Sequence, residues 1–128
     1  MAKKKIIQSS AAPKPVASYA QAIKAGKLLF LSGQIGIDPA TSELVPGGLE
    51  AETRRTLDNL GAVLREAGAS YEDVVKCTVY LADMEDFRTF DGIFSTYFQT
   101  SPTARATVAV SALPRGARIE IDAIALLS

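Results

Sequence analysis

The chain has 128 residues, with fourteen Lys or Arg against fourteen Asp or Glu, a hydrophobic fraction of 48% and no histidine. A zero net charge supplies no field to draw nucleic acid or an anionic membrane surface, and the missing histidine excludes His-based triads and His metal sites. One cysteine permits no intrachain disulfide and, with scattered carboxylates, makes no zinc ligand set.

This length and hydrophobic fraction are expected to give one domain over residues 1–128. No run is long enough for a membrane span or a signal peptide, so a reducing, cytoplasmic setting is expected. "KKKIIQ" reads as a short first strand whose lysines are a solvated lead-in. "AAPKPVASYAQAI" carries two prolines and then a β-compatible run, with a turn at Gly26. "LLFLSGQ" predicts a buried strand from Leu28 to Gln34, and "GIDPATSELVPGG" a loop. In "LEAETRRTLDNLGAVLREAG", Leu49, Thr53, Leu57, Leu60, Leu64 and Ala67 recur at helical spacing, and Gly68 suits the left-handed position past the end.

"DVVKCTVYL" alternates, which puts Val75, Cys77, Val79 and Leu81 on one face and makes Cys77 a small core residue. "DMEDFRTFDGIFSTYF" predicts a second helix, capped at Asp83, with Phe87, Phe90, Phe94 and Tyr97 as its core stripe. "ARATVAVSA" and "ARIEIDAIAL" read as two strands joined by the turn "LPRG". The order β-β-β-helix-β-helix-β-β predicts an α+β fold with both helices on one face of a sheet.

Two charges stand out on the last strands. Arg105 and Thr107 share one face of the first, and Glu120 and Asp122 share the polar face of the second. Both Arg105 and Glu120 read equally as solvent-facing strand residues or as site residues with small or apolar neighbours. If the two strands form a tight hairpin, Arg105 lies about four positions, roughly 13 Å, from Glu120. A site using both then needs a long ligand or a second subunit.

The segments "SYAQAI", "LLFLSGQIGIDPATSELV", "LDNLGAVLREAGASYEDVVKCTVYLADMEDF" and "TARATVAVSALPRGARIEIDAIAL" together resemble the RidA/YjgF/UK114 family of enamine and imine deaminases. The resemblance implies a chorismate-mutase-like fold, with a mixed sheet and a homotrimer around a barrel-like centre. It also implies active clefts between subunits, no metal or organic cofactor, and hydrolysis of 2-imino acids such as 2-aminoacrylate to 2-keto acids and ammonia. By the same resemblance, Arg105 grips the substrate carboxylate and Glu120 activates water. Tyr19 stands at the cleft mouth and Ser32 and Gly33 in its wall. Without the family, Tyr19 reads as well as a packing aromatic, and Ser32-Gly33 as a plain strand end.

The chain departs from the family pattern at Ala17-Ser18, where Gly-Pro is common, at Phe94, where tyrosine is common, and at Thr107, where many members have cysteine. Asp91 replaces a familiar asparagine, and its charge near the site is expected to disfavour acidic substrates. Arg105 is expected to meet a substrate carboxylate and no side chain of its own subunit. Two other readings stay open: a non-catalytic carboxylate-binding or chaperone-like trimer, and an endoribonuclease or translation inhibitor, against which the neutral charge counts.

Overall fold

The computed structural model describes residues 3–128. Its strands are β1 (Lys5–Ile7), β2 (Ala22–Ala25), β3 (Leu28–Gln34), β4 (Ile37–Asp38), β5 (Glu43–Leu44), β6 (Val74–Leu81), β7 (Ala104–Ala109) and β8 (Ile119–Leu126). Two α-helices accompany them, α1 (Gly48–Glu66) and α2 (Phe87–Tyr97). Six strands form one mixed sheet in the order β1-β2-β3-β8-β6-β7, and β4 and β5 make a separate small hairpin inside the predicted loop.

Alternation places Leu29 and Leu31 of β3, Ile119, Ile121 and Ala123 of β8, and Cys77, Val79 and Leu81 of β6 on one buried face. The helices cover that face. Leu57, Leu60 and Leu64 of α1 and Phe90 and Phe94 of α2 are buried in the same apolar cluster. The expected helical stripes and the α+β layering are therefore present, and Gly68 takes the left-handed conformation, with φ 78°.

Three expectations are corrected. β7 and β8 do not form a hairpin: β6 lies between them, parallel to β7 and antiparallel to β8. The "LPRG" segment is a short 3-10 turn, Pro114–Gly116, on a path that crosses from one edge of β6 to the other. The apolar faces of the last two strands consequently point to opposite sides of the sheet. Second, Val75 is 44% exposed while Val74 is buried, because a bulge inserts one residue of β6 between the pairs Val74–Ala125 and Lys76–Ile124. Third, β3 is not buried throughout: Leu28 and Phe30 emerge on the face without helices.

That open face is apolar over much of its breadth. Ile6, Phe30, Leu126 and Val108 are exposed on it, from β1 at one edge to β7 at the other.

Candidate active site

A second bulge lies where the site residues cluster. Between the pairs Leu31–Ala123 and Gln34–Ile121, β3 spends one residue more than β8 at Ser32-Gly33. Bulges re-aim side chains and backbone, and here the bulged strand bends over Glu120. A Cβ on Gly33 would approach Glu120 Cδ to 2.9 Å and overlap its Oε2. Glycine is needed because the carboxyl group rests on its Cα. The bulge is pinned by Ser32, whose hydroxyl donates to the Ala20 carbonyl at 2.6 Å and whose amide donates to the Gln21 carbonyl at 2.9 Å.

Glu120, Gly33, Ser32 and Tyr19 line one cleft of about 410 Å³. Four of the seven residues singled out in the sequence thus converge. Tyr19 is half exposed at this cleft. Partial burial, with Asp122 two residues on as the lesser cause, pushes the Glu120 carboxyl above the usual carboxylate range. Asp122 in turn accepts a hydrogen bond from the Tyr80 hydroxyl at 3.1 Å.

Several lining residues escaped the sequence reading. Lys14 and Arg115 bring positive charge to the cleft, and Ile35 and Ile37 bring apolar wall. Arg115 and Ser42 both adopt positive φ, 62° and 60°, and Arg115 Nη2 donates to the Ser42 carbonyl at 3.1 Å across the rim. The prolines around Lys14 were the available signal for an irregular wall segment. Nothing local marked Ser42 or Arg115 as neighbours, since 73 positions separate them.

Arg105, Thr107 and Asp91 form a second group elsewhere. Arg105 pairs in register with Cys77, whereas Glu120 pairs with Tyr80, so the two side chains leave opposite faces of the sheet. The Arg105 guanidinium lies on the helix side, 4.9 Å from the ring centre of Phe94, 5.1 Å from Phe90 and 5.5 Å from Phe87. These ring faces attract the cation. Its Nη1 donates to Asp91 Oδ1 at 2.8 Å. The expectation that Arg105 meets no side chain of its own subunit is therefore corrected: α2 carries Asp91 to it. Thr107 Oγ1, two residues along the same face, is buried and has no hydrogen-bond partner among the described residues. Cys77 lies in the core, where burial pushes its thiol up to about 11, as its core assignment requires.

Residues 9–127 match the family model described as endoribonuclease L-PSP. A mouse protein named 2-iminobutanoate/2-iminopropanoate deaminase is 48% identical over 123 residues, covering 96% of this chain and 91% of that protein. A crystal structure of a putative endoribonuclease L-PSP from Entamoeba histolytica superposes with a TM-score of 0.95 at 41% identity, covering 98% of this chain and 100% of that one. The structure of TdcF from E. coli with bound serine gives a TM-score of 0.93 at 35% identity, covering 97% of this chain and 99% of that one. The chain belongs to the endoribonuclease L-PSP family, which is the RidA/YjgF family.

Proposed function

We propose that the protein is a deaminase that hydrolyses 2-imino acids and their enamine tautomers to 2-keto acids and ammonia. The observation that carries this reading is the Glu120 carboxyl seated over Gly33 in a cleft shared with Ser32 and Tyr19. The mouse relative's named activity points the same way.

In this mechanism the Glu120 carboxylate takes a proton from a water molecule as its oxygen bonds to the imine carbon. The C=N double bond becomes a single bond, and its nitrogen takes that proton from Glu120, which is a carboxylate again. The carboxylate then takes the proton of the new hydroxyl as the carbonyl forms and passes it to the amine as the C–N bond breaks, releasing ammonia. A carboxyl group held above its usual range gives up and recovers this proton readily. No metal or organic cofactor is called for.

Arg105 is the proposed clamp for the substrate carboxylate, since its planar guanidinium offers parallel donors that lysine does not. Because Arg105 and Glu120 leave opposite faces of one sheet, the complete site draws them from different copies, as a homotrimer with clefts between subunits provides. The exposed apolar face of Ile6, Phe30, Leu126 and Val108 supports such an assembly.

The test generates 2-aminoacrylate in a coupled assay and follows its decay. Wild type accelerates the decay, and Arg105→Ala abolishes the acceleration. Unchanged decay with wild type, or full activity in Arg105→Ala, overturns the mechanism.

The family's description favours a second reading, an endoribonuclease. A chain of zero net charge without histidine lacks both the phosphate-neutralising charge and the usual acid-base pair for it. Assaying RNA cleavage by highly purified wild type beside Arg105→Ala separates the two.

A further inference from the structure

The ion pair between Arg105 and Asp91 bears on what the proposed clamp will hold. One helix supplies both surroundings of the guanidinium. Phe87, Phe90 and Phe94 give α2 an aromatic face against it, and Asp91, one turn beyond Phe87, sets a carboxylate on its Nη1 at 2.8 Å. The Arg105 side chain is 21% exposed and that of Asp91 48%. The arginine is thus enclosed by rings while its counter-ion faces solvent. A guanidinium already joined to a carboxylate attracts a second one less, and the apolar rings strengthen that competition by excluding water. With one Nη1 hydrogen committed, the Nε and Nη2 edge keeps both of its parallel donors for an incoming carboxylate, which must otherwise share Nη1 with Asp91 or displace it.

We propose that Asp91 is an internal competitor for the carboxylate clamp, holding down affinity and selecting against ligands with a second negative charge. The inference rests on the reading of Arg105 as the clamp and assigns the regulation of that same site. Asp91 is on this account a specificity residue that opposes ligand binding, and the ion pair supplies the means by which its charge disfavours acidic substrates.

The test is calorimetric titration of pyruvate and 2-oxoglutarate, stable 2-keto acids with one and two carboxylates, into four proteins: wild type, Asp91→Asn, Asp91→Ala and Arg105→Ala. Asp91→Asn keeps the shape and an acceptor oxygen while removing the charge, and the half-exposed position leaves the fold intact in both variants. Both Asp91 variants are expected to bind pyruvate about three- to tenfold tighter, as loss of a part-buried competing charge implies. The gain is larger for 2-oxoglutarate, and larger at low ionic strength. If Asp91 merely positions Arg105, Asp91→Ala weakens binding and Asp91→Asn restores it, which overturns the competition. Unchanged affinity in Asp91→Asn, with binding lost in Arg105→Ala, overturns the competition and leaves the clamp standing. Wild-type affinity in Arg105→Ala overturns the clamp reading, and the competition with it.

Discussion

Gly33 and Glu120 depend on each other through one contact. The three atoms nearest to a Cβ at Gly33 all belong to the Glu120 side chain, Cγ and Cδ as well as the carboxylate oxygen. Those atoms can swing aside, so Gly33→Ala displaces the carboxyl group and leaves the backbone as it is. Displacing a reacting group by about 1 Å costs on the order of a hundredfold in rate. Gly33→Ala is therefore expected to lose about that much kcat/KM while its melting temperature stays near wild type. A large fall in melting temperature would place the role of Gly33 in folding. The raised pKa of Glu120 makes a further prediction with a definite sign. The folded protein holds this proton more tightly than the unfolded chain, so the contribution to stability is present at low pH and is lost as pH rises through the folded pKa. Glu120→Gln removes this dependence, making the variant more stable relative to wild type at neutral pH and inactive. Since the mechanism starts from the carboxylate, wild-type kcat/KM falls on the acid side with a limb above the usual carboxylate range. Thermal melts across pH and a pH–rate profile check both signs, and a flat acid side removes Glu120 from the proton transfer.

At the scale of elements, α1 holds the cleft wall in place with a polar residue that the sequence does not advertise. Asn59 is fully buried, and its Nδ2 donates to the Ile35 carbonyl at 3.1 Å and the Ile37 carbonyl at 2.9 Å. Arg55 Nε donates to its Oδ1 at 3.0 Å. Ile35 and Ile37 line the cleft, so the helix fixes the strand that follows the bulge. Asn59→Ala strips those carbonyls of their donor and is expected to cost about 1–3 kcal/mol. KM should rise as the wall loosens. Urea denaturation and steady-state kinetics read the two effects, and an unchanged KM would uncouple this wall from substrate. Asn59 was hidden because helical periodicity counts apolar positions, and a buried amide looks like any exposed polar residue. The apolar stripes of α1 and α2 were legible for the same reason. So was the alternation that put Arg105 with Thr107, and Glu120 with Asp122. Their relation across the sheet was not. Adjacent strands joined by a short turn read as a hairpin, and only the parallel pairing of β7 with β6, set by contacts 28 positions apart such as Cys77 with Arg105, excludes it. Bulges hide equally well, because period-two counting assumes a constant register. Val75 and the Ser32-Gly33 step both broke it, the second at the place where the site is built.

For the whole molecule the decisive fact is that the candidate site residues of each chain fall into two groups on opposite faces of the sheet. The cleft with Glu120, Gly33, Ser32 and Tyr19 has the candidate base and no guanidinium from Arg105. The β7 and α2 edge has Arg105, Thr107 and Asp91 and no part of Glu120. In the proposed ring of identical copies, each chain would present its Arg105 edge to one neighbour and its cleft to the other. Arg105→Ala and Glu120→Gln, each inactive alone, then complement one another. In mixed rings, an interface that takes Arg105 from one variant and Glu120 from the other is intact. Random exchange of equal amounts makes about one quarter of the interfaces of this kind. Mixing the two proteins under conditions that allow subunit exchange should therefore restore about a quarter of wild-type activity. The activity should grow in at the rate at which light scattering or a tagged copy shows exchange. A charge on the open apolar face, such as Phe30→Glu, is expected to block assembly and prevent the recovery. Mixed rings that form and stay inactive would require both residues to come from one chain, which the opposite faces of its sheet do not allow without refolding β7.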